Sequence, residues 1–218
     1  MANELPVISG GTYEIVLAAD TKMCLDVAGG STANGANVQV WGRNGTEAQV
    51  YSATVESGTN YVTFTNVKSG KVLDLASGKT DNGTNIQIWS SNNTPAQKWS
   101  LNQLGTKTIG GISYPSCEVI SSKITSRCFD CQGGNKTAKT NIRLWNRNQT
   151  IAQQFVFFPT ERVSTDMEAP GAYQIPIAED AEWYALDVED VSHPDSRTNG
   201  ISQVLSSHRV HSRQMVIS

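Results

Sequence analysis

Apolar and polar residues alternate along the chain with a period of two, in short runs. VQVW (38–41), IQIW (86–89) and IRLW (142–145) put every second side chain on one face, the signature of half-buried strands. TYEIVLA, YVTFTNV and CEVISSK read as earlier strands, and NGA, NGT and SG supply turns between the runs. No segment repeats its apolar residues at helical spacing. The pattern predicts an all-β chain of many short strands.

The pattern also recurs at long range. LDVAGGSTANGANVQVW (25–41) returns as LDLASGKTDNGTNIQIW (73–89) and, more loosely, as CFDCQGGNKTAKTNIRLW (128–145). Each copy continues alike, through WGRNGTEAQVY, WSSNNTPAQKW and WNRNQTIAQQF. The separation of Asp26 from Trp41 equals that of Asp74 from Trp89 and of Asp130 from Trp145. The same three aspartates stand at one constant distance before Gln49, Gln97 and Gln153. The third copy begins later than the interval between the first two dictates, the excess falling in an expected loop around Leu104–Pro115. A period of about 50 residues marks a repeat architecture. Three units of about four strands, none able to bury its apolar face alone, predict one body closed by pseudo-threefold symmetry.

Three Asp…Gln-x-Trp…Gln-x-aromatic units with constant spacing resemble the ricin-B-type β-trefoil lectins and family 13 carbohydrate-binding modules. The resemblance covers about residues 9–158, with lobes at about 9–56, 57–104 and 105–158. It implies that the aspartate accepts sugar hydroxyls, the tryptophan stacks on the ring, the residue three beyond it lines the pocket, and the later glutamine orients the aspartate. By motif position the sugar-binding sets are Asp26, Gln39, Trp41, Asn44 and Gln49; Asp74, Gln87, Trp89, Asn92 and Gln97; and Asp130, Trp145, Asn148 and Gln153, with Arg143 in place of the glutamine. The second set keeps every residue type without an added charge and is the foremost candidate. Tyr51, Trp99 and Phe155, closing the second Gln-x-aromatic, are expected in the core.

The sequence departs from the family in two places. Ala48, Ala96 and Ala152 stand where sugar-binding lobes commonly carry a donor asparagine, and Arg43, Ser91 and Arg147 where the toxin chain has a half-cystine. A toxin-like disulfide from Cys24 or Cys128 is thereby excluded; a local bridge between Cys117 and Cys128 stays open. Cys128-Phe-Asp-Cys131 has CxxC spacing, but no second ligand pair accompanies it and no βαβ pattern surrounds it, so buried cysteines are expected rather than a metal or redox centre.

After Phe158 the chain turns polar over residues 159–170, a linker. GAYQIPIAED (171–180) then echoes GTYEIVLAAD (11–20), and LDVEDVS, NGISQVL and SRQMVIS echo the rest of a lobe. Residues 171–218 read as a degenerate, partial fourth repeat: Asp187 is kept, but Leu205 replaces the stacking tryptophan and Val216 the later aromatic. A single lobe is marginal alone, and the segment reads as the start of a second trefoil in a longer protein. His193, His208 and His211 lie there and read as surface imidazoles.

Composition narrows the function. The net charge is −3, with 17% charged and 38% hydrophobic residues; no basic stretch suits nucleic acid and no apolar run suits a membrane span. MANELPVISGG has neither a charged n-region nor an apolar h-region and is read as no signal peptide. One carboxylate per lobe does not make the paired carboxylates of a glycosidase, and no nucleophile triad appears, so no catalysis and no cofactor are expected. The expectation is a carbohydrate-binding module within a secreted or cell-surface bacterial protein. The resemblance implies glycan partners, with galactose or N-acetylgalactosamine ends the commonest ligands. The rival reading is a structural or protein-interaction trefoil that has lost its sugar sites, which the three alanines favour.

Overall fold

The computed structural model describes residues 5–160. The proposed fourth repeat, and the linker beyond Thr160, lie outside the described residues. The twelve strands are β1 (Thr12–Leu17), β2 (Asp20–Val27), β3 (Ala36–Gly42), β4 (Val50–Val55), β5 (Val62–Asn66), β6 (Val72–Leu75), β7 (Ile86–Trp89), β8 (Trp99–Ile109), β9 (Ile112–Ser121), β10 (Arg127–Cys131), β11 (Ile142–Asn146) and β12 (Phe155–Pro159). All pairings among them are antiparallel.

Six strands close on themselves. β1 pairs β4, β4 pairs β5, β5 pairs β8, β8 pairs β9, β9 pairs β12 and β12 returns to β1. Closure leaves this barrel without an edge. The other six strands form three hairpins, β2–β3, β6–β7 and β10–β11. They meet one another through the β3–β7 pairing and the bridges Gln39↔Asn141 and Asn85↔Arg143. A barrel capped by a hairpin triplet is the β-trefoil, and its threefold form follows from the threefold sequence.

The inward residues of the barrel and the hairpins share one core. Ile15, Leu25, Val40, Phe64, Leu73, Ile88, Val119, Phe129 and Leu144 are fully buried. Tyr51, Trp99 and Phe155 are fully buried too, as the second Gln-x-aromatic predicts. Trp99 meets Phe129 edge-on at 4.5 Å, and Phe64 stacks on Phe157 at 5.2 Å. Each such ring withdrawn from water contributes roughly 1.5–3 kcal/mol.

The extra residues of the third repeat form no loop. They lengthen β8 and β9 into a hairpin whose ladder runs on from Gly105↔Ser116 to Ile109↔Ile112. Its residues Ile109 and Tyr114 pack, with Phe158, on a second small cluster of Val16, Ala18, Cys24 and Val156 on the outer side of the barrel. Alternation of exposed Thr106 and Thr108 with half-buried Lys107 and Ile109 before the Gly110-Gly111 turn is the strand signal that a loop assignment overlooks.

All four cysteines are buried free thiols. Cys117 lies opposite Phe155 on β12, whereas Cys128 on β10 lies opposite Ile120 and Trp145; the open Cys117–Cys128 bridge is not formed. Burial pushes the Cys117 thiol up to about 12 and Cys131 to about 11, and drives Cys24 and Cys128 further up. Such thiols stay protonated and serve as small hydrophobic side chains.

Candidate functional site

The repeated spacing is a hairpin register. Asp26 lies opposite Gln39, Asp74 opposite Gln87, and Asp130 opposite Arg143. One step further along the same face stand Trp41, Trp89 and Trp145, opposite Cys24, Val72 and Cys128. Alternate side chains on a strand share a face, so each hairpin presents a carboxylate beside an indole.

Each carboxylate is fixed at both oxygens. Gln39 Nε2 donates to Asp26 Oδ1 and Gln49 Nε2 to Asp26 Oδ2, both at 3.1 Å. In the second lobe Gln87 Nε2 reaches Asp74 Oδ1 at 2.8 Å and Gln97 Nε2 reaches Oδ2 at 3.0 Å. In the third, Arg143 Nε reaches Asp130 Oδ1 at 2.9 Å and Gln153 Nε2 reaches Oδ2 at 3.2 Å. The three carboxylates are 4–7% exposed. Burial raises the Asp74 pKa, and the hydrogen bonds from Gln87 and Gln97 only partly oppose it.

The later glutamine also builds the rim. Its Nε2 donates a second time, to the carbonyl oxygen of Gly42, Ser90 or Asn146, and its Oε1 accepts from the backbone N–H of Asn44, Asn92 or Asn148. Those asparagines turn their Oδ1 to the N–H and hydroxyl of Thr46, Thr94 and Thr150. With Oδ1 engaged in the turn, Nδ2 is the donor left for a ligand. The middle residue of each Asn-x-Thr turn, Gly45, Asn93 or Gln149, has φ of 71, 56 and 58°. Only the first is a glycine, the residue that takes this conformation without strain.

Sequence reading names the asparagines but misses the threonines, although Asn-x-Thr stands three times in register in the sequence. It also misses the opposite wall. After each aspartate the chain makes a 3-10 turn, Ala28–Gly30, Ala76–Gly78 and Gln132–Gly134. The methyl groups of Ala48, Ala96 and Ala152 lie 3.8–4.0 Å from where a Cβ on Gly30, Gly78 and Gly134 would sit. The alanines therefore pack on this turn, where in the first two lobes Lys68 and Lys123 also bring an ammonium group. In the third lobe the cleft is about 370 Å³ and includes Asp130, Arg143, Trp145, Asn148, Thr150 and Ala152 among its lining residues.

The indoles differ in access. Trp89 is 39% exposed, while Trp41 and Trp145 are half-buried. Trp89 and Trp145 each rest beside the glycine of the preceding lobe's hairpin loop, Gly35 and Gly83 respectively. Trp145 is further covered by Arg143, whose Cζ lies 3.8 Å from the ring centroid.

The arginines at the half-cystine positions have their own role. Arg43 pairs with Glu14 and Arg147 with Glu118, the Nε atoms at 2.8 and 3.1 Å. Both glutamates are buried, so each ion pair ties the first strand of its lobe to the end of the third. In the second lobe the same places hold Thr63 and Ser91, without a charge.

The arrangement offers what a pyranose needs: a flat apolar face, a fixed acceptor and amide donors around it. The model of the ricin-type β-trefoil lectin domain-like family matches residues 5–89 and 47–145. No curated protein sequence matches the chain. Among solved structures, the designed three-fold symmetric protein ThreeFoil is 24% identical, with a TM-score of 0.59 over 67% of this chain and 98% of its own. The Macrolepiota procera ricin B-like lectin, solved with lactose, is 17% identical, with a TM-score of 0.56 over 70% of this chain and 99% of its own. The exo-β-1,3-galactanase 1,3Gal43A of Clostridium thermocellum is 24% identical, with a TM-score of 0.59 over 68% of this chain but 30% of its own. By fold, by repeat and by family model, the chain belongs to the ricin-type β-trefoil lectin domain-like family.

Proposed function

We propose that this trefoil is a non-catalytic carbohydrate-binding domain and that the second lobe is its principal site. The observation that carries the reading is the exposed Trp89 ring beside Asp74, a buried carboxylate whose two oxygens are aligned by Gln87 and Gln97. A C–H face on Trp89 contributes on the order of 1 kcal/mol. A hydroxyl donating to Asp74 contributes roughly 1.5–3 kcal/mol. One lobe then binds weakly, and avidity comes from further lobes or from clustering of the chain.

Terminal galactose or N-acetylgalactosamine is the proposed ligand class, supported by the lactose held by the Macrolepiota lectin. The galactanase, of which this chain covers 30%, supports a role in delivering a larger secreted or surface protein to glycans. The test is retention of the full chain on immobilised lactose. Retention reversed by free lactose and lost in Trp89→Ala supports the reading; passage of the folded chain through the column contradicts the galactose assignment.

A second reading, a structural or protein-interaction trefoil, is favoured by one observation. Ala48, Ala96 and Ala152 put methyl groups against the glycine turns where a polar donor would face a hydroxyl.

A further inference from the structure

The third lobe differs from the other two in a residue that touches both its aspartate and its tryptophan. Where Gln39 and Gln87 donate an uncharged amide to their aspartates, Arg143 donates Nε to Asp130 Oδ1 and lays its guanidinium over Trp145 at 3.8 Å. Arg143 and Trp145 line the same cleft, at alternate positions on one face of β11. The guanidinium covers one face of the Trp145 ring within the cleft that both side chains line. A neutral pyranose cannot stack there as it can on Trp89.

The same contact leaves a different surface behind. Arg143 engages Asp130 through Nε alone, and neither Nη has a hydrogen-bond partner among the described residues. The side chain keeps 18% of its surface exposed. Trp145 beneath it and Asp130 beside it hold the plane in place. A guanidinium so fixed presents two parallel N–H groups, the fork that matches a carboxylate. Asn148 and Thr150 line the same cleft.

We propose that the third lobe is a subsite for a pyranose bearing a carboxylate, with Arg143 as the residue that sets the specificity. The proposal rests on the sugar-binding reading above and deepens it: one chain then carries a neutral-sugar site and an acidic-sugar site on neighbouring hairpins. It is a binding proposal, and no bond is made or broken.

Nuclear magnetic resonance of the full chain, following the indole N–H signals of Trp89 and Trp145, separates the two sites. The probes are methyl galactoside and methyl galacturonoside, which differ only in the carboxylate, with the methyl glycoside of sialic acid as a second acid. The expected result is that an acid probe shifts Trp145, methyl galactoside leaves it unmoved, and Arg143→Gln abolishes the acid response. The variant carries the residue native to the other two lobes, so its fold is retained, and an unchanged signal from Trp99 in the core checks this. The proposal is overturned if neither acid moves Trp145, if Arg143→Gln responds to acid as the parent does, or if the neutral galactoside moves Trp145 equally. Failure of the sugar-binding reading is separate: then Trp89 responds to no sugar either.

Discussion

Asp74 shows how one buried carboxylate is held between two amides. Two amides hold it in place, yet burial outweighs them and its pKa is raised. Sugar binding at this lobe is therefore expected to fail at a higher pH than an ordinary aspartate would dictate. Below the raised pKa the carboxyl is protonated and no longer accepts strongly from a sugar hydroxyl. The sign for stability is opposite. The folded chain holds this proton more tightly than the unfolded chain, so protonating Asp74 favours the folded state as pH falls through that range. Protonating Asp74 is expected to weaken binding without itself destabilising the fold; titration of affinity and of Tm over the same pH series checks both. At this scale the sequence is highly legible. The constant Asp-to-Trp spacing carries its meaning because a hairpin is local. The Arg143–Trp145 stack is less so, because neighbours on one strand face need not touch.

At the scale of the element, the β-hairpin and its Asn-x-Thr turn are joined by one glutamine. Gln97 bonds Asp74, the Ser90 carbonyl and the Asn92 N–H, all with a side chain 1% exposed. Gln97→Ala leaves a buried carboxylate oxygen and a backbone carbonyl without donors, and is expected to cost about 2–4 kcal/mol of stability, read from denaturant unfolding. Gln49 and Gln153 repeat the device, which explains why this glutamine recurs in all three lobes, including the third, where the first one is replaced. The ion pairs are not legible in the sequence. Glu14 and Arg43 are 29 residues apart, as are Glu118 and Arg147, and only the barrel brings them together. The arginines stand out in the sequence only as missing half-cystines; the structure shows them tying the first strand of each lobe to the end of the third by charge.

For the molecule as a whole, threefold repetition of sequence becomes threefold architecture because each hairpin needs its neighbours. Gly35 N–H donates to the Ile88 carbonyl, Gly83 to Leu144 and Lys139 to Val40, each lobe closing on the next. The lobes are not equal in chemistry. The second adds no charge to that of Asp74 and is open at Trp89, and in the third Arg143 covers Trp145. The long β8–β9 hairpin reads as a loop in the sequence because an insertion that breaks the period looks irregular, while its own alternation is short. The central claim is that the Trp89–Asp74 face binds sugar. The most direct measurement is a mixed-glycan array probed with the full chain and with Trp89→Ala. The expected result is a set of bound glycans whose signal falls about tenfold in the variant, the equivalent of roughly 1.4 kcal/mol. A blank array from folded protein, or binding indifferent to Trp89, would contradict the claim and leave the structural trefoil in its place.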